Sequence, residues 1–195
     1  YGVGQSIIQY KMYEEIAAKL NKSISPKRFA HSKRVAEEAK LLAERFSADP
    51  AKAYLAGLLH DCAREYTAKE LLKYVVEHNL EAGAYEQNAP MLLHSIVGRN
   101  LAQQVYGVND PEVLQAIECH TVGGRAMSLL SKIVYVADFI EPSREDTMAN
   151  KVRIAAESDL GRAVFEKAKF MLEYSRSIGE EIHPEVQGTL DHFKI

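Results

Sequence analysis

Ala56-Gly57-Leu58-Leu59-His60-Asp61 reads as the end of a buried helix: an apolar run closing on an imidazole and a carboxylate side by side. Burying either group unpaired costs several kcal/mol, about 1–7 depending on the reference state, so the pair needs a partner. For a neighbouring imidazole and carboxylate the cheapest partner is a metal cation. The same anomaly recurs outward from this stretch. His31 lies four residues before Val35, on the stripe Val35, Ala39, Leu42 and Phe46. His94 shares a stripe with Val97 and Leu101, His120 closes Val113, Leu114 and Ile117, and Asp138 ends Leu130 and Val134 at steps of four. Five separate helices thus each offer an inward-facing His or Asp. His78 and His192 have polar neighbours and read as ordinary satisfied core histidines.

The helices announce themselves by their punctuation. Ser25-Pro26, Asp49-Pro50 and Asp110-Pro111 each place an N-cap residue before a proline at the first helical position. Further helices are expected over Ile7–Leu20, after Thr67, from Pro90, through Leu130–Asp138, from a Ser158 cap to about Ser177, and briefly after His183-Pro184. Glu81–Ala89 and Glu141–Asn150 read as loops. With no period-2 alternation, the expected fold is all-α: a single helical bundle of roughly eight to ten helices. Residues 1–24 form an N-terminal helix and lead-in, and residues 25–195 the main unit. Apolar positions on the first helix serve either the core or a homodimer face. The chain opens on Tyr1 rather than Met, which leaves room for preceding sequence.

At 195 residues, 47% hydrophobic and 26% charged, the chain can bury a sizeable core unaided. A net charge of −3 argues against a general binder of nucleic acid or membrane surfaces, so an anionic substrate needs a local cluster of Arg, Lys and metal. The two cysteines, Cys62 and Cys119, make no disulfide framework and fit a reducing cytoplasm. No run approaches the ~18 apolar residues of a membrane span.

Four histidines and two aspartates are too many for one tetrahedral site and about right for two ions sharing a bridging carboxylate, with Asp61 the natural bridge. Imidazole and carboxylate suit iron, manganese, zinc or magnesium. Paired ions clamp the attacking and leaving oxygens of an in-line displacement at phosphorus, and a bound metal lowers the pKa of water to ~7. That chemistry needs no Ser or Cys nucleophile, and no nucleophile-elbow motif is present.

His31, His60-Asp61 and Asp138 reproduce the H…HD…D signature of HD-domain metal-dependent phosphohydrolases. More narrowly, five blocks resemble the YqeK family of symmetrical diadenosine tetraphosphate hydrolases: Arg28-Phe29-Ala30-His31 with Arg34-Val35, Ala56 to Asp61, Ala116 to Thr121, Tyr135 to Arg144, and Ile182-His183-Pro184. The resemblance implies an HD-domain bundle that hydrolyses diadenosine tetraphosphate to two ADP at an iron-containing site of one or two ions, with manganese as an alternative. It makes His31, His60, Asp61 and Asp138 first-metal ligands, with His60, Asp61 and Asp138 carrying catalysis. His94 and His120 become second-metal ligands or phosphate contacts. Arg64 departs from the lysine more usual after the HD pair and would grip phosphate as a fork rather than a point charge.

Arg28, Arg64, Arg144 and, less strongly placed, Arg125 are the cations beside these motifs that suit phosphate. Thr121 offers phosphate a hydrogen bond or else bonds backbone at a helix end. Ile182 and His183 suit a base-binding wall, His183 either stacking or hydrogen bonding. The rival functions are an HD phosphohydrolase on nucleoside monophosphates, deoxynucleoside triphosphates or cyclic nucleotides, and a non-catalytic nucleotide sensor with a structural metal.

Overall fold

The computed structural model describes the backbone of residues 2–194 and the side chains of residues 11–194. Each cap-and-proline pair starts a helix where its chemistry requires. After α1 (Gly2–Ser23), the Ser25 hydroxyl accepts from the Arg28 N–H at the head of α2 (Pro26–Arg45). Asp49 accepts from the Ala51 and Lys52 N–H groups to open α3 (Pro50–Leu59). Thr67 and Glu70 close a reciprocal capping box on α4 (Ala68–Glu77). Such caps contribute about 0.5–2 kcal/mol each by satisfying N–H groups with no partner inside the helix. A short α5 (Ala84–Asn88) and a 3-10 turn (Pro90–Leu92) lead into α6 (Leu93–Gln104). Then follow α7 (Pro111–Cys119), capped by Asp110, and α8 (Leu129–Ile140), capped by Ser128. The chain ends in α9 (Thr147–Ala155), α10 (Leu160–Ile178) and α11 (Pro184–His192).

The described residues contain eleven α-helices and no strand, one more helix than the upper expectation. The additions are α5, inside the expected loop Glu81–Ala89, and α9, which begins inside the expected loop Glu141–Asn150 and runs beyond it. The α9 sequence is polar and buries only Ala149 and Val152, so its periodicity is faint; the Asp146 carboxylate, accepting from Met148 and Ala149 N–H, fixes its start. The α10 cap is Asp159 rather than Ser158, because the Asp159 carboxylate reaches the Arg162 N–H.

Helix α8 is the axis of the bundle. It is buried along Leu130, Ile133, Val134, Val136 and Ala137, and α2, α3, α7 and α10 all pack against it. Each fully buried aliphatic side chain there contributes about 1.5–3 kcal/mol. One core runs from Ile16 on α1 to Val164 on α10. Ile16 and Leu20 are therefore core residues rather than a free face, while Ile7 and Ile8 lie outside the described side chains. Helices α2 and α3 approach tightly at Gly57, where a Cβ would stand 2.9 Å from the Ala36 Cα. That approach brings His31 on α2 and His60 at the end of α3 to the same end of α8. None of the helices, among the described residues, is long and apolar enough to cross a membrane.

Candidate metal centre

Asp61 sits at the middle of the site, 4% exposed, and its two oxygens face opposite ways. Oδ2 lies 3.4 Å from His60 Nε2 and 3.9 Å from His31 Nε2. Oδ1 lies 3.5 Å from both His94 Nε2 and His120 Nε2. Asp138, in the last turn of α8, completes the first group: its Oδ1 is 3.2 Å from His31 Nε2 and 3.7 Å from His60 Nε2. All six residues expected as ligands thus converge, as two clusters that share one carboxylate.

The orientation of every ring is fixed from behind. His60 Nδ1 donates to the Gly57 carbonyl at 2.6 Å, His94 Nδ1 to Met91 at 2.5 Å and His120 Nδ1 to Ile117 at 2.6 Å. His31 Nδ1 instead faces the Glu141 carboxylate, Oε1 at 3.2 Å. With each proton on Nδ1, all four Nε2 lone pairs point inward. The Nε2 atoms of His31 and His60 are buried without a hydrogen-bond partner, and those of His94 and His120 stand 3.2 Å apart. Lone pairs gathered this closely around two carboxylates call for a cation, and the nitrogen–oxygen donor set suits a divalent one. Helices α3 and α7 also end here, directing the negative ends of their dipoles at the same place.

The titration behaviour follows from this crowding. Burial alone would raise Asp61, but His60 and His120 reverse it and hold the carboxyl well below its usual range. Burial likewise opposes ionised Asp138, and His31 and Lys167 lower it nonetheless. Burial disfavours the His60 imidazolium, yet Asp61 and Asp138 raise its pKa, so a proton and a metal compete for one lone pair. Burial and His120 push His94 down to about 3, keeping it neutral.

The other candidate residues divide by position. Arg28 Nη1 donates to Asp61 Oδ2 at 2.6 Å, and Arg144 reaches Asp138 Oδ1 at 3.9 Å with nearly half of its side chain exposed. Arg64 is half-buried, and its charge depresses His94. Thr121 Oγ1 lies 3.3 Å from His94 Nε2 and 3.1 Å from His120 Nε2, so it faces the site rather than a backbone group. Arg125 lies across Gly188 on α11. Buried His183 holds the Glu86 carboxylate at 3.0 Å through Nε2 and caps α11 by accepting the Glu185 N–H on Nδ1. It lines a cavity of about 390 Å³ with Leu92, Ile96, Glu118 and Val122; Ile182 is half-buried beside it in sequence. His78 and His192 are exposed, not core residues, and His78 stacks on Tyr74.

Two buried charges beside the site carry no role in the sequence reading. Glu141, 1% exposed, stands at the start of the expected polar loop; besides His31 it accepts from Arg34 Nε at 2.7 Å and from the Ser143 N–H and hydroxyl. Lys167, 2% exposed, donates to the Tyr135 and His120 carbonyls at 2.6 and 3.2 Å and lies 3.8 Å from Asp138. Lys167 falls on the inward stripe of Leu160, Ala163, Val164 and Ala168, and that register was the signal available for it.

The chain matches the HD domain over residues 28–143. It belongs to the HD domain family. A symmetrical bis(5'-nucleosyl)-tetraphosphatase of Bacillus subtilis is 35% identical to it over 88% of this chain and 92% of that protein. A protein of the same description from Halalkalibacterium halodurans is 32% identical over 83% of this chain and 86% of its own length. Among solved structures, an HD superfamily hydrolase from Clostridium acetobutylicum, described as involved in NAD metabolism, superposes with a TM-score of 0.89 at 35% identity and covers 93% of this chain and 96% of its own. Within the HD family the chain therefore groups with the symmetrical tetraphosphatases, and its buried His/Asp cluster offers the donor set that a divalent metal takes.

Proposed function

We propose that this protein is a metal-dependent hydrolase of phosphoanhydride bonds that cleaves diadenosine tetraphosphate symmetrically into two ADP. The observation that carries the proposal is the division of Asp61, one oxygen facing each pair of imidazoles. His31, His60, Asp61 and Asp138 would hold one ion and Asp61, His94 and His120 a second, with iron as the preferred metal and manganese able to replace it. Such ions supply Lewis acidity and deliver hydroxide at neutral pH. His60, Asp61 and Asp138 fix where that chemistry occurs.

The chain's own cations handle the substrate's charge. Arg28 and Arg144 flank Asp61 and Asp138 with partly exposed side chains, which supports a role as forks on the phosphates either side of the scissile bond. Arg64 and Thr121 stand on the His94 and His120 side, and their positions support a role against the remaining phosphate oxygens. The cavity at His183 supports a nucleoside seat, with Ile182 next to it in sequence. Both His183 nitrogens already have partners, which favours stacking over hydrogen bonding to a base. Two free cysteines fit a reducing cytoplasm.

Incubation with diadenosine tetraphosphate and ferrous iron or manganese, followed by ion-exchange separation, tests the proposal. ADP as the sole product, absent with Asp61→Ala, is expected. AMP plus ATP would refute symmetrical cleavage, and Asp61→Ala activity within about tenfold of wild type would refute the assigned centre.

A further inference from the structure

The two halves of the centre are built unequally. The His31 side has four protein donors: two imidazoles, Asp138 and Asp61 Oδ2. The His94 side has three, two imidazoles and Asp61 Oδ1, and no carboxylate of its own. What stands behind the rings differs in the same sense. His60, His94 and His120 give their Nδ1 protons to neutral backbone carbonyls, whereas His31 gives its proton to Glu141.

Glu141 is placed to act on that ring. It is almost wholly buried at the end of α8, three residues after Asp138. Arg34 Nε and the Ser143 N–H pin its other oxygen, leaving Oε1 to the His31 ring and the Ser143 hydroxyl, with Arg144 Nε farther off at 3.8 Å. A carboxylate that accepts an imidazole N–H makes the opposite nitrogen a stronger donor and locks the ring plane. A carbonyl does the second and less of the first.

We propose that the two metal positions differ in affinity, that the one at His31, His60 and Asp138 fills first, and that Glu141 is the positioning residue that tightens it through His31. The position at His94 and His120 is the weaker and exchangeable one, whose shortage of protein donors leaves room for phosphate oxygens. The inference rests on the divalent-metal site and not on the identity of the substrate.

Manganese(II) added to chelator-stripped protein, with free ion counted by electron paramagnetic resonance, tests it without any nucleotide. Wild type is expected to bind two ions in separate steps. His94→Ala should lose the weaker step and keep the tighter; His31→Ala should do the reverse. Glu141→Gln should weaken the tighter step about 10–100-fold and leave the weaker one in place. Ser143→Ala, which loosens the loop but spares the His31 contact, should leave both unchanged. A merely structural role for Glu141 would instead weaken both steps together in Glu141→Gln, and that result would overturn the proposal. Equal affinities in wild type, loss of the tighter step in His94→Ala, or an unchanged tighter step in Glu141→Gln would each overturn the proposal. Because no nucleotide is present, a protein that passes here and fails to cleave diadenosine tetraphosphate would refute the proposed substrate alone.

Discussion

Replacing Gly57 by alanine should injure the protein, and the same change at Gly98 should help it. A Cβ at Gly57 would meet the Ala36 Cα at 2.9 Å, the Val35 carbonyl oxygen at 3.0 Å and the Ala36 nitrogen at 3.1 Å. These are backbone atoms, so no side chain can swing aside, and α2 and α3 must part by about half an ångström to reach ordinary contact. Overpacking of this kind costs about 1–3 kcal/mol, while removing a helical glycine returns about 0.5–1 kcal/mol. The balance is a net loss of about 0.5–2 kcal/mol, or about 1–8 °C in melting temperature for a chain of this size. At Gly98 the new Cβ would lie 3.6 Å from Cys62 Sγ and from the His60 carbonyl oxygen, which is ordinary contact. There only the helical gain remains, and a rise of about 1–4 °C is expected. Parting α2 from α3 also separates His31 from His60, so Gly57→Ala should lose about tenfold in activity, given that a ~1 Å misplacement costs ~10²-fold. Thermal melts with and without metal, alongside a rate assay, measure all three effects. If Gly57→Ala melts at or above wild type, the close approach does not set the geometry of the centre.

Lys167→Met removes the cation beneath Asp138 and leaves the His120 and Tyr135 carbonyls without its hydrogen bonds; metal-free protein should lose about 1–3 kcal/mol in denaturant melts, and an unchanged midpoint would contradict this. Burial and His120 push His94 down to about 3, while an unfolded histidine titrates near ~6.5. Between those values only the unfolded chain takes up that proton, so His94 makes the fold lose stability as pH falls below ~6.5. Metal-free wild type should therefore lose more of its denaturation midpoint from pH ~7.5 to ~5 than His94→Gln does; equal losses would refute the assignment. Burial pushes the Cys62 thiol up to about 12 and the half-buried Cys119 up to about 11. A thiol reagent should therefore modify Cys119 in the native protein and Cys62 only on unfolding; equal native rates would count against it.

The parts of this molecule that could be read from the sequence are those decided within one turn of helix. Ser25-Pro26, Asp49-Pro50 and Asp110-Pro111 cap and start their helices by contacts two or three residues long, and each sits where expected. The six residues of the His/Asp cluster were legible because a His or Asp on an apolar stripe contradicts its surroundings. Helix α9 was not, since its stripe amounts to Ala149 and Val152. Glu141 and Lys167 were hidden for a different reason. Each sits in a sequence rich in charge: Glu141 is buried by partners far along the chain, His31 and Arg34, and Lys167, whose one local signal is its register on the inward stripe of α10, by Tyr135 and His120.

His60, His94 and His120 each return their Nδ1 proton to the carbonyl three residues earlier, at or near the end of a helix or turn. Replacing any of them withdraws a hydrogen-bond donor from a backbone carbonyl as well as an imidazole from the cluster. For an evolving lineage this couples two losses that could otherwise come apart. A descendant with no further need of hydrolysis cannot shed these imidazoles one by one at no cost, because each departure also damages the helix that carried it. Imidazoles retained in such a copy would reflect the demands of folding, and their presence alone would not distinguish a working enzyme from a retired one.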